Sequence, residues 1–149
     1  MNANENRTLR LERVIRAPVE RVFEAWTVPE QVAQWWGPEY AEIPEYSLDV
    51  RPGGKWYTVM KLPDGSLPRV SGEFRAVEKN KRLVFTWAWQ QDDGSRGHET
   101  EVTVTFEPVG KHTRLTLVQA LFVETVHRDR HGEGWTSTFK SLEQYLAAA

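Results

Sequence analysis

The chain begins with a two-residue period. From Thr8 to Arg16, Leu9, Leu11 and Ile15 share one side of an extended segment while Arg10, Glu12 and Arg16 share the other, which predicts a strand. The period then changes. Val19, Val22, Phe23 and Trp26 are spaced three and four apart, so Pro18 to Trp26 reads as a helix with proline in its first turn. Pro29 opens a second short helix to about Trp36, and Gly37-Pro38 ends it. From Tyr40 the period returns to two. It predicts strands at Tyr40 to Val50, Lys55 to Leu62, Val70 to Val77, Arg82 to Gln90, Glu99 to Glu107 and Arg114 to Gln119. Short turn sequences rich in Gly, Asp, Asn and Pro separate them, and connections this short allow only antiparallel neighbours. A last helix is predicted from about Asp129 to Ala149, with Trp135, Phe139, Leu142 and Leu146 as its apolar stripe. Gly132 and Gly134 interrupt it near the start, at about 1 kcal/mol each relative to alanine, which marks a place where another part of the chain comes close.

The strands carry their apolar residues on one face. Trp56, Thr58 and Met60 lie together, as do Val70, Gly72 and Phe74, then Leu83, Phe85, Trp87 and Trp89, then Val102, Val104 and Phe106, then Leu115 and Leu117. The opposite face holds Glu73, Arg75, Thr103, Thr105, Arg114 and Thr116 and is expected to be wet. The stripe of the last helix matches the apolar face. This predicts an α+β, helix-grip domain in which a curved antiparallel sheet of six to seven strands wraps a long C-terminal helix, with two short helices after the first strand. A helix fills a groove only ~10 Å across, narrower than such a sheet, so the arrangement is expected to leave an apolar cavity. Its walls would be Trp36, Trp56, Trp87, Trp89, Phe122, Trp135 and Phe139, with His131 as a polar anchor.

Composition narrows the options. A length of 149 residues suits one domain spanning the whole chain. Seven tryptophans in so short a chain favour bulky, flat walls. A formal net charge of -2 gives no field to attract nucleic acid or an anionic membrane. No cysteine is present, so disulfides, thiolate nucleophiles and cysteine metal sites are all excluded. The polar N-terminal stretch has no apolar core of a secretory signal, and no run is long enough to span a bilayer, so a cytoplasmic protein without membrane insertion is expected.

Signs of chemistry are sparse. His127 and His131 are four apart and would share a helix face, but no third ligand has a defined place, so neither a metal nor another cofactor is expected. The serines lack any nucleophile signature, and the PGGK turn at residues 52–55 precedes a strand, unlike a phosphate loop. No catalytic residue is assigned.

Several stretches together resemble one family. RAPVERVFEAW from Arg16 to Trp26, WWGP from Trp35 to Pro38, DVRPGG from Asp49 to Gly54, RLVFTW from Arg82 to Trp87, TVTF from Thr103 to Phe106 and Gly134-Trp135 occur in an order and spacing similar to the activator of heat-shock-90 ATPase homologue family, within the START-like (SRPBCC) superfamily. The resemblance runs from about Leu9 to Leu146 and implies a helix-grip fold with an internal apolar cavity. It is compatible with three roles. The first is binding of an apolar or aromatic ligand such as a lipid or polyketide. The second is a cyclase- or hydrolase-type enzyme using the same cavity, which would need His131 beside a buried carboxylate. The third is association with a chaperone, and self-association as a homodimer is a further candidate. Small-ligand binding is the leading expectation.

Overall fold

The computed structural model describes residues 7–39, 41–122 and 124–148. Their elements run β1 (Leu9–Ile15), α1 (Val19–Thr27), α2 (Pro29–Trp35), β2 (Glu42–Leu48), β3 (Lys55–Lys61), β4 (Arg69–Glu78), β5 (Arg82–Trp89), β6 (Thr100–Val109), β7 (His112–Ala120) and α3 (Thr125–Ala148). The strands form one seven-stranded antiparallel sheet in the order β1-β7-β6-β5-β4-β3-β2. The first strand therefore closes one edge by pairing with the last. This is the helix-grip architecture expected of the hydrophobic pattern.

Local chemistry explains the short helices. Pro18 caps α1 in an extended conformation, and Val28 ends α1 while starting α2, whose first residue is Pro29. Both prolines sit where a backbone N–H has no helical partner to lose. Gly37, at φ 83°, turns the chain away from α2, with Met60 Sδ only 3.3 Å from where a Cβ would stand. The next two residues lead to Tyr40, predicted as a strand start, which lies outside the described residues. The same holds for Ala149, the predicted helix end.

The interior is largely filled by indole rings. Trp26 stacks on Trp135 at 6.2 Å and 22° and meets Trp35, Trp36 and Phe106 at steeper angles. Trp36 in turn touches Trp56, Trp87 and Trp135. Edge-to-face and offset pairs of this kind add about 0.5–1.5 kcal/mol each beyond the area they bury. Leu83, Val102, Val104, Leu115, Leu117, Phe139 and Leu142 complete the core with essentially no exposed surface.

Three expectations are corrected. The last helix begins at Thr125, one turn before Asp129, which places His127 and His131 on one helix. β7 begins at His112 and extends beyond Gln119 to Ala120. The outward face of β5 is dry: Val84, Thr86 and Ala88 are all buried. Part of its cover is Arg96, which donates to Ser71 Oγ at 2.8 Å and to the Ser71 carbonyl at 2.9 Å, beside Ala88, the cross-strand partner of Ser71. The aliphatic stem of an arginine can shield apolar surface while its head stays in water.

Candidate functional site: a tryptophan-walled cleft under the start of the long helix

Free space remains where the first half of α3 crosses the sheet. A cleft of about 450 Å³ lies between α3, strands β3 and β5, and the turn after α2. The sheet contributes Met60, Trp87 and Trp89, the connection between β3 and β4 contributes Leu62 and Pro68, and the turn contributes Trp36, Gly37 and Pro38. From α3 come His127, Arg130, His131, Gly134, Trp135 and Thr138, which recur three and four residues apart and so form one helix face. The volume falls in the ~300–1,000 Å³ range of small-molecule sites.

A second cavity of about 270 Å³ adjoins the first, walled by Gln91, Gly97, His98, Thr100 and Phe122. The two share Trp87, Trp89, His127 and His131. Between them stands a hydrogen bond from Trp89 Nε1 to His131 Nε2 of 2.9 Å. Because an indole N–H only donates, His131 Nε2 must be the accepting nitrogen. Its proton is then on Nδ1, which lies 2.7 Å from the His127 carbonyl and donates to it. The Phe122 ring packs on the imidazole at 4.9 Å.

His131 is therefore held neutral. Burial pushes its pKa below the ordinary histidine value, the hydrogen bond to the His127 carbonyl opposes that shift, and the His127 imidazole adds a smaller downward push. A histidine whose folded pKa is depressed contributes stability that is present above the unfolded value of about 6.5. That contribution is lost as pH falls from there toward the folded value, since the unfolded chain takes up the proton first. A proton on Nε2 would also face the Trp89 N–H, donor against donor. Between about pH 7.5 and about pH 5, the thermal midpoint of the native protein is therefore expected to fall more than that of His131→Gln. The Trp89 component of the emission should shift over the same interval. Parallel melting curves for the two proteins would rule out this role for His131.

Behind the cleft lies a buried polar chain. Trp135 Nε1 donates to Gln119 Oε1 at 2.9 Å, Gln119 Nε2 donates to Thr100 Oγ1 at 2.8 Å, and Thr100 Oγ1 donates to the Trp87 carbonyl at 3.2 Å. Gln119 is fully buried. The chain ties α3 to three adjacent strands and fixes the Trp135 ring as a wall. Trp36 is fixed similarly, donating to Thr58 Oγ1 at 3.0 Å. The N–H groups of Trp26, Trp56 and Trp87 are buried without a partner among the described residues.

Five of the eight residues assigned from sequence, Trp36, Trp87, Trp89, His131 and Trp135, line the main cleft. Phe122 lines the adjoining cavity. Trp56 and Phe139 do not line the cleft. Trp56 sits deeper, against Phe85 and Trp36, and Phe139 packs fully buried behind Trp135. Met60, Leu62, Pro68, His127, Arg130, Gly134 and Thr138 join the site unpredicted. The two helix glycines differ. A Cβ on Gly132 would meet Leu9 Cδ1 at 3.2 Å, whereas one on Gly134 would meet nothing within 4 Å and would extend into free space. Among the described residues no carboxylate lines either cavity, and no cluster of three or more histidine or acidic side chains could hold a metal. Among the described residues, no helix is long and apolar enough to cross a membrane.

The fold recurs in solved structures of similar length. A crystal structure of an AHSA1 protein from Silicibacter pomeroyi is 36% identical, covers 95% of this chain and 98% of its own, and superposes with a TM-score of 0.89. A protein from Nitrosomonas europaea is 29% identical with a TM-score of 0.81, covering 99% of this chain and 97% of its own. An uncharacterized Schizosaccharomyces pombe protein is 31% identical over 102 residues, which span 68% of this chain and only 26% of that relative's length. The family model for Activator of Hsp90 ATPase homolog 1-like protein matches residues 16–147, nearly the whole domain, and the chain belongs to that family.

Proposed function

We propose that this protein binds one small apolar or aromatic molecule in the cleft between α3 and the sheet. The observation that carries this reading is free volume of about 450 Å³ walled by four tryptophans and Met60, with polar groups confined to the α3 side. A close-packed core would leave no such space, since interiors tolerate few voids larger than a water molecule. Flat rings on several sides suit a flat or extended body, and the fixed indoles of Trp36 and Trp135 need no rearrangement to receive it. Binding is favoured over acid–base catalysis because His131 has no carboxylate partner among the described residues and its accepting nitrogen is already engaged by Trp89.

The test uses the walls as reporters. Tryptophan emission is titrated with fatty acids, flavonoids, sterols and polyketide-like aromatics, and thermal midpoints are recorded at each concentration. One chemical class should quench saturably and raise the midpoint, as any ligand of the folded state alone must. Gly134→Phe should occupy the cleft, because Gly134 lines it and nothing lies within 4 Å of the position of a Cβ there. It is expected to fold, and to lose both responses. If that variant responds like the native protein, the cleft is not the binding site.

A further inference from the structure

Resting on that reading, we infer that the ligand is a monoanion, a carboxylate whose apolar or aromatic body lies against the tryptophan walls and whose head group meets Arg130 at the mouth of the cleft. Arg130 lines the cleft, is solvent-exposed, and has no ion pair among the described residues. Its neighbour Arg128 does, holding Asp129 at 2.9 Å. Among the described residues no Asp or Glu lines the cleft, and the fixed charge they place there is positive. The accepting ring nitrogen of His131 is taken up by the Trp89 N–H, and the Thr138 hydroxyl spends its one proton on the Gly134 carbonyl at 2.8 Å while keeping its lone pairs.

A cleft with a guanidinium free of ion pairs and no carboxylate in its lining, among the described residues, complements an anionic group. Guanidinium pairs with carboxylate in a bidentate fork, a geometry that neither an alcohol nor an amide can match. A single arginine, with no lysine in the lining, suits one negative charge better than a phosphate dianion. Arg130 also projects from the same helix face as Trp135 and Gly134, so head and body of one molecule can be met together.

The experiment compares two pairs of probes, decanoate with decanamide and 2-naphthoate with 2-naphthamide, by tryptophan quenching on the native protein, Arg130→Gln and Gly134→Phe. Within at least one pair the carboxylate is expected to bind about tenfold more tightly than the amide. Arg130→Gln should remove that preference by weakening the carboxylate alone, and added salt should do the same in part. Arg130 is exposed, so its replacement leaves the core untouched. Equal affinity for acid and amide, or a preference that survives in Arg130→Gln, would overturn the anion assignment while leaving the binding site in place. Absence of binding by every probe to the native protein, or equal binding to Gly134→Phe, would overturn both.

Discussion

Gly72→Ala is expected to destabilise the protein by about 3 kcal/mol or more, although it adds one methyl group. A Cβ at this position would stand 1.8 Å from the Thr86 carbonyl oxygen and 2.7 Å from Trp56 Nε1. The first of these atoms is backbone of β5 and cannot swing aside. Here β4 is drawn onto β5 more closely than a regular ladder allows: Glu73 N–H donates to the Thr86 hydroxyl at 2.8 Å, and the register shifts between Phe74 and Ala76. A bulge of this kind bends its strand and tightens the twist, which helps the sheet curl around α3. For a domain of this size the loss corresponds to roughly 10 °C in thermal midpoint. Gly134→Ala is the matching control. With no atom in the way and a helical backbone, it should stabilise by up to about 1 kcal/mol. Urea unfolding of both variants decides the matter, and a Gly72→Ala protein within 1 kcal/mol of the native one would show that the close approach is not structural.

Trp135→Ala is expected to cost about 3–5 kcal/mol, the usual range for emptying a buried tryptophan position. Its ring contacts Trp26, Trp36, Trp87 and Phe139, so the cavity left behind would be bounded by rigid rings that collapse poorly. Loss of the N–H strands Gln119 Oε1 in a dry interior as well. Trp135→Phe separates these contributions by keeping most of the packing and removing the donor. It should cost roughly 1–3 kcal/mol. Combining it with Gln119→Leu removes both ends of the bond, and the double variant should then lose less than the sum of the single ones. Strict additivity in chemical denaturation would mean that the Trp135–Gln119 bond contributes nothing of its own.

These two sites also show how far the sequence could be read. Alternation along Leu83, Phe85, Trp87 and Trp89 was enough to identify the inward face of β5, because side chains of a strand point to opposite sides whatever surrounds them. The same reasoning extended to β6 and β7 passes over Thr100 and Gln119. Both point inward at the proper spacing, but polar residues carry no apolar signal, and their pairing depends on where Trp135 crosses above them. The wet face assigned to β5 failed for a related reason. Periodicity describes one strand at a time and does not register the Arg96 side chain folded back over Ser71.

The candidate site divides along the same line. Its tryptophans were legible as an aromatic face opposite a helix stripe. Arg130 was not, because a charged residue carries no apolar signal, and His127 fell outside the helix, which was read as starting at Asp129, four residues late. The first turn of α3 lacks the apolar stripe that marks an amphipathic helix, since it lies over the cleft and has no packed core beneath it to bury side chains against. The feature that hides this turn from a hydrophobic pattern is the open space that makes it a candidate site.

Sequence alone therefore determined the fold class, the order of elements and the apolar face of each, because these follow from local periodicity and from turns that any neighbouring structure must respect. Tertiary structure alone decided which of the aromatics surround free space and which fill the core, which donors find acceptors, and where the positive charge of Arg130 is presented. Those depend on distances between segments remote in the chain, set by the curl of the sheet and the crossing of α3, and no local pattern encodes them.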